Sequence, residues 1–225
     1  MLCIAVTAAL AAACLVVASS HACTADPRWL LATLAVAFLA GWRRVRVSEH
    51  ATVSLGFVAV FWALVRFGAP ATLAAAAVSG VAVVIAPLLT RPMSSLAGIY
   101  AVATATASAG IAGGVYMLAG GVSGAVDVWG MAVPTAAAMA TYHLANSGFV
   151  AAIAGLTSRT SVWRLLRNYF AMTGPTYGAG AGLAVLAHLT WQVAGVWSLI
   201  AAVPIAYSLH LALRHLRPTP PAEQT

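Results

Sequence analysis

The side chains able to do chemistry in this chain gather in one short stretch, Tyr142, His143, Asn146 and Ser147. His143 and Asn146 are three apart, so on a helix they face nearly the same way. An imidazole beside an amide can form a small polar pocket for a ligand. Because imidazole titrates near neutrality, it can also sense pH. The same pair can instead hydrogen-bond across a helix interface and hold a bundle together. His188 lies in a later apolar run that can approach His143, but two histidines without a third ligand make a poor metal site. Arg66 is the one charge near an apolar interior. It either snorkels to a polar boundary or contacts an anion in an outward-facing pocket. The candidate ligand-binding set is therefore Tyr142, His143, Asn146, His188 and Arg66, with no metal and no cofactor. His210 and His215 read as interfacial, and His50 as solvated.

Reactive partners for these groups are scarce. All four carboxylates, Asp26, Glu49, Asp127 and Glu223, fall in loops or the tail. A proton relay, a paired-carboxylate acid/base site or a di-metal carboxylate site has nothing to be built from inside an apolar bundle. No phosphate-binding glycine loop, no G-x-S-x-G turn and no H-E-x-x-H helix is present. No catalytic residue is expected, and the chain reads as non-enzymatic.

The elements that must position these residues follow from composition. The chain has 225 residues, 62% hydrophobic and 7% charged, with 11 arginines and no lysine. Soluble domains carry about 25% charged residues, so a soluble globular enzyme is excluded. The remaining class is an all-α polytopic transmembrane helix bundle. A span needs roughly 20 apolar residues, and the chain accommodates about eight such spans plus loops. The basic balance does not point to nucleic acid, because the arginines lie in short clusters between apolar runs rather than along one polar face. The three cysteines, Cys3, Cys14 and Cys23, have no metal spacing and read as buried thiols.

The expected spans are Leu2–Ser19, Trp29–Trp42, Ala51–Phe67, Ala69–Leu89, Met93–Leu118, Val128–Leu156, Tyr177–Gln192 and Val193–Leu213. The first resembles a signal peptide in ending at Ser20-His21-Ala22 before Cys23, but it lacks a positive leader and is read as a retained helix. Thr160–Ala171 places Trp163, Leu166, Tyr169 and Phe170 on one side and its arginines elsewhere, the pattern of an interfacial amphipathic helix. Residues 1–213 form one transmembrane domain, and 214–225 a disordered cytoplasmic tail. With both termini cytoplasmic, nine arginines fall inside: Arg43, Arg44, Arg46, Arg91, Arg159, Arg164, Arg167, Arg214 and Arg217. Arg28 and Arg66, with Asp26 and Asp127, fall outside, as the positive-inside rule requires. Gly110 and Gly114 form a G-x-x-x-G, and Gly178, Gly180 and Gly182 line a later run. Both permit close helix packing within one chain or between two.

Several stretches in order carry a resemblance. They are Val53-Ser54-Leu55-Gly56-Phe57 running to Gly68-Ala69-Pro70, Arg91-Pro92-Met93 running to Val115-Tyr116 and Gly120-Gly121, the segment Ala140–Asn146, and Gly174-Pro175-Thr176-Tyr177. This order resembles the membrane-integral sensor modules of the MASE kind that precede bacterial cyclic-di-GMP enzymes, HD-GYP phosphodiesterases and GGDEF cyclases, and it covers roughly residues 43–213. Tyr142 and Asn146 match positions characteristic of those modules. A Phe-Asn pair expected after Arg91-Pro92 is replaced by Ser95-Leu96-Ala97-Gly98, and the chain stops 12 residues into its tail. The resemblance implies a bacterial sensory or scaffold module without its output enzyme, in the inner or plasma membrane. Its expected partners are the lipid bilayer and either a second copy of itself or a cytoplasmic signalling protein. A small-solute transporter or substrate-binding membrane subunit is the alternative, with Tyr142, His143, Asn146 and Arg66 lining the path.

Overall fold

Apolar runs punctuated by Gly, Pro and Arg become helices packed side by side. The computed structural model describes residues 2–19, 26–48, 51–88, 95–195 and 197. Within them lie seven helices: α1 (Leu2–Ser19), α2 (Pro27–Trp42), α3 (Gly56–Phe67), α4 (Ala69–Leu88), α5 (Ser95–Leu118), α6 (Val128–Ser158) and α7 (Val162–Ala194). A hairpin of β1 (Arg44–Ser48) and β2 (Ala51–Ser54) joins α2 to α3. Outside the described residues lie Cys23 with the Ser20–Ala22 stretch, Glu49, His50, the Arg91-Pro92-Met93 entry, most of the expected last span, His210, His215 and the tail with Glu223.

Local chemistry sets the helix ends. The Asp26 carboxylate accepts the Arg28 N–H at 2.9 Å, with Pro27 in the first turn of α2. The Asp127 carboxylate accepts the Gly130 N–H at 2.7 Å and the Trp129 N–H at 3.3 Å at the start of α6. A short acceptor at this position takes up donors that a helix start leaves unpaired. Gly68, with φ 88°, closes α3 by donating to the Ala63 and Leu64 carbonyls, and the chain turns at once into α4.

Two expectations are corrected. The third run does not begin as a helix: residues 51–54 pair antiparallel with β1, Arg44 opposite Ser54, Val45 opposite Val53 and Arg46 opposite Thr52. Arg-Val-Arg-Val-Ser alternates with period two and Ala-Thr-Val-Ser is rich in β-branched residues, which is strand patterning. Likewise, the interfacial segment 160–171 and the span 177–192 are not separate. They merge into the single 33-residue α7, with Pro175 inside it. Proline removes one helix donor, and packing of α7 on α6 and α3 on either side of Pro175 carries the helix through.

Among the described residues, one helix, Leu96–Leu118, is long and apolar enough to cross a membrane, so eight spans do not follow from these helices. With 12 residues, α3 reaches only about 18 Å, against roughly 30 Å of hydrocarbon.

Contacts fix the helix directions. Gly80 meets Val102 while Gly113 meets Ala69, so α4 and α5 are antiparallel. The Cys3 thiol lies 3.8 Å from the Tyr100 hydroxyl and Cys14 lies against Gly110, so α1 runs parallel to α5. The Phe57–Tyr177 and Trp62–Trp191 ring pairs, at 4.6 and 6.1 Å, set α3 parallel to α7. These directions bring Arg43, the hairpin and the α6–α7 turn to one end. Asp26, Arg28, Arg66 and Asp127 lie at the other. The main core lies between α3, α4, α5 and α6, with Phe61, Leu64, Ala75, Tyr116 and Ala138 buried.

The two glycines of the G-x-x-x-G part company. A Cβ at Gly110 would run into the Cys14 side chain, whereas Gly114 has nothing within 4 Å. Gly110 therefore serves α1–α5 packing inside one chain.

Candidate functional site

Residues 142, 143, 146 and 147 span just over one turn of α6, and α7 faces them with Tyr169, Phe170, Thr173 and Tyr177. His143 is 2% exposed. Its Nε2 lies 3.0 Å from the Phe170 carbonyl and its Nδ1 lies 3.3 Å from the Ser147 hydroxyl. A carbonyl only accepts, so Nε2 carries the proton and Ser147 donates to Nδ1. That assignment satisfies both nitrogens of a neutral imidazole. The ring also stacks on Phe170, centroids 4.3 Å apart and planes 24° apart.

One turn on, the Asn146 amide donates to the Tyr177 hydroxyl at 3.0 Å. Tyr177 packs against Phe57, His143 and Tyr142, and Tyr142 packs edge-on to Phe61 at 5.5 Å. Gly180, one turn beyond Tyr177, lets the Phe57 ring approach: a Cβ there would collide with it, while Gly178 and Gly182 face open space. Aromatic rings thus pack along the seam, with the hydrogen-bonding groups of His143, Asn146, Ser147 and Thr173 set among them.

Between them is a pocket of about 70 Å³ lined by Val53, Asn146, Ser147, Val150, Tyr169, Thr173 and Tyr177. That is room for a few waters or a small polar group. Its polar lining is one amide and four hydroxyls. No carboxylate lines it, and the described acids, Asp26 and Asp127, are exposed helix caps. Val53 brings the hairpin to the pocket, so three separate elements meet there. No group of three metal-ligating side chains occurs among the described residues.

The five sequence candidates divide. Tyr142, His143 and Asn146 come together as expected, with Tyr142 buried in the aromatic wall rather than in the pocket lining. His188 does not join them. It lies 14 residues beyond Gly174, which faces His143, and so roughly 20 Å farther along α7. There its Nε2 bonds to the Ala125 carbonyl at 2.8 Å, Gln192 lies 3.4 Å away, and its buried Nδ1 has no partner among the described residues. Arg66 belongs to that second place. It is close enough to act electrostatically on His188, and its guanidinium lies 5.8 Å from the Phe67 ring centre. The separation is the rise of α7 itself, and at that far end the loop 119–127 folds over α3 and α7. The Ser123 hydroxyl donates to the Leu64 carbonyl at 2.9 Å, and the Gly124 N–H donates to the Val65 carbonyl at 2.7 Å.

Tyr169, Thr173, Tyr177 and Val53 were not singled out as site residues from the sequence. A signal existed for the first three: residues 169, 173 and 177 recur at every fourth position, the spacing of one helix face. It is visible only once α7 is read as one helix through Pro175. Val53 carried no signal, since its place depends on the hairpin.

No protein-family profile, curated protein or solved structure matches this chain.

Proposed function

We propose that this chain is a non-catalytic, bacterial integral membrane protein of about eight spans, with both termini cytoplasmic. In this reading it is a sensory input or scaffold module like the MASE-type modules it resembles, with the α6–α7 seam as the ligand-reading site. Exposed apolar side chains on the helices support the membrane reading: Leu39 is 66% exposed, Val133 67%, Leu144 53% and Leu186 56%. In water these side chains would form a large apolar surface of the kind that marks contact with another apolar phase. The charged side chains that are described lie at helix ends or in the first turns of α7 instead. A short α3 continued by β2 supplies part of one crossing in two pieces, a layout tolerated where the strands are shielded by protein. Both strands contact α7.

One observation carries the sensory reading: the neutral pocket joins three elements, β2, α6 and α7, through Val53, Asn146 and Tyr177. A small neutral or lipid-like ligand that binds there more tightly in one packing than in another would shift the hairpin relative to the helix pair. It could do so only by that difference in affinity. The test is the thermal midpoint of purified, detergent-solubilised protein across a panel of small polar and lipid-like compounds, repeated with Asn146→Leu. A stabilising compound whose effect disappears in the variant supports the reading. Uniform indifference across the panel contradicts it. Solute uptake into proteoliposomes that is lost in the folded Asn146→Leu protein would favour transport instead.

A further inference from the structure

The turn between α6 and α7 concentrates charge of one sign. Arg159, Arg164 and Arg167 fall within nine residues, and all three are exposed. Trp163, between them, is 71% exposed. Leu165, Leu166 and Tyr169 on the same helix are half-buried, so the arginines occupy the outward side of α7. The described carboxylates, Asp26 and Asp127, cap helices at the opposite end, where they cannot neutralise this patch. Arg159 ends α6 with φ 55°, a left-handed conformation that glycine or asparagine adopts more readily. An arginine is thus held at a position whose backbone favours other residues.

We propose that this turn is a docking surface for anionic phospholipid headgroups, an inference that rests on the membrane reading above. Charge complementarity carries it. A guanidinium offers paired N–H donors that match two phosphate oxygens, and it is more weakly hydrated than an ammonium. Three of them, with no acid beside them among the described residues, attract a net negative surface, while a zwitterionic surface offers no net charge. Trp163 sits where an indole favours the boundary between headgroups and chains. Each arginine contributes a factor of roughly five in preference for an anionic over a neutral surface.

The experiment places the full chain in nanodiscs of phosphatidylcholine and compares tryptophan quenching by brominated phosphatidylglycerol with quenching by brominated phosphatidylcholine, at low and high salt. The wild type is expected to be quenched more strongly by the anionic lipid, with the preference weakened by salt. Arg164→Gln/Arg167→Gln, on an exposed helix side, is expected to lose a large part of that preference, and adding Arg159→Gln to lower it further, with Arg43 and the arginines of the hairpin at the same end keeping the remainder. Arg164→Lys/Arg167→Lys is expected to keep part of it. Equal quenching by both lipids in the wild type, or an unchanged preference in the glutamine variants, overturns the proposal. If soluble glycerol phosphate abolishes the preference at matched ionic strength, the site takes free phosphate rather than a lipid surface, and the proposal also falls. Failure to enter phosphatidylcholine nanodiscs at all is a different result, which contradicts the membrane reading.

Discussion

Asn146 on α6 donates a hydrogen bond of 3.0 Å to the hydroxyl of Tyr177 on α7, tying the two longest helices together at the wall of the pocket. The bond has one of the two roles the sequence allowed for Asn146. It is glue between helices, and Asn146 also lines the pocket, where the ligand-reading role is a proposal. Breaking it from either side leaves a donor or acceptor without its partner, so the pair is a test of energetics as well as of function.

In a double-mutant cycle of Asn146→Leu and Tyr177→Phe, each single change is expected to cost about 1–2 kcal/mol, the range for orphaning a buried polar partner. The coupling energy is expected near 1 kcal/mol, as for hydrogen bonds between helices in membranes. Unfolding in mixed micelles measures it. Strict additivity would show that the two side chains do not bond.

His143 holds α7 through the Phe170 carbonyl and the Phe170 ring together. His143→Leu, which keeps bulk but removes the donor, is expected to destabilise by about 2 kcal/mol. His143→Gln, which can still donate to the carbonyl, is expected to recover part of that loss. Equal stability of the two variants in the same unfolding assay would count against the donor role.

Gly110 and Gly114 are expected to respond oppositely. Gly110→Ala forces a methyl into Cys14 and should cost about 1–3 kcal/mol by overpacking. Gly114→Ala meets no neighbour and should gain roughly 0.5–1 kcal/mol from helix propensity. Sedimentation of both variants in detergent is expected to leave the oligomeric state unchanged. A change in mass with Gly114→Ala would instead place that glycine between two copies.

Asp127 works as a cap. Asp127→Ala is expected to lose about 1 kcal/mol, and Asp127→Asn, which still accepts from the backbone, to lose less. Ligand-induced stabilisation should survive both changes. Its loss in a folded Asp127→Asn protein would mean that the carboxylate does more than start a helix.

Periodicity and charge made several elements legible in advance. The spacing of Tyr142, His143 and Asn146 placed three side chains in one region, and the arginine clusters marked helix ends. Other features depended on competition that no single stretch reveals. The period-two pattern of Arg44–Ser48 stands next to a residue run that also reads as the start of a span, and pairing with Ala51–Ser54 decides for strand. At Pro175 the local cost of a missing donor argues for a boundary, yet contacts with α6 and α3 carry α7 through it. His188 was out of reach of prediction, because its distance from His143 is set by the full length of α7, and its partner Ala125 lies in a loop that folds over the helix ends.

The central claim is that lipid surrounds the outer faces of α6 and α7. Single cysteines at Leu144, Leu183 and Leu186, in a background with Cys3, Cys14 and Cys23 replaced by alanine, test it with a charged, membrane-impermeant maleimide applied to open membrane fragments. All three sites are exposed on the protein. They are therefore expected to stay unlabelled in intact bilayers and to label fully once the membrane is dissolved in denaturing detergent. Rapid labelling in the bilayer at these positions would show that water reaches them, and would contradict the account.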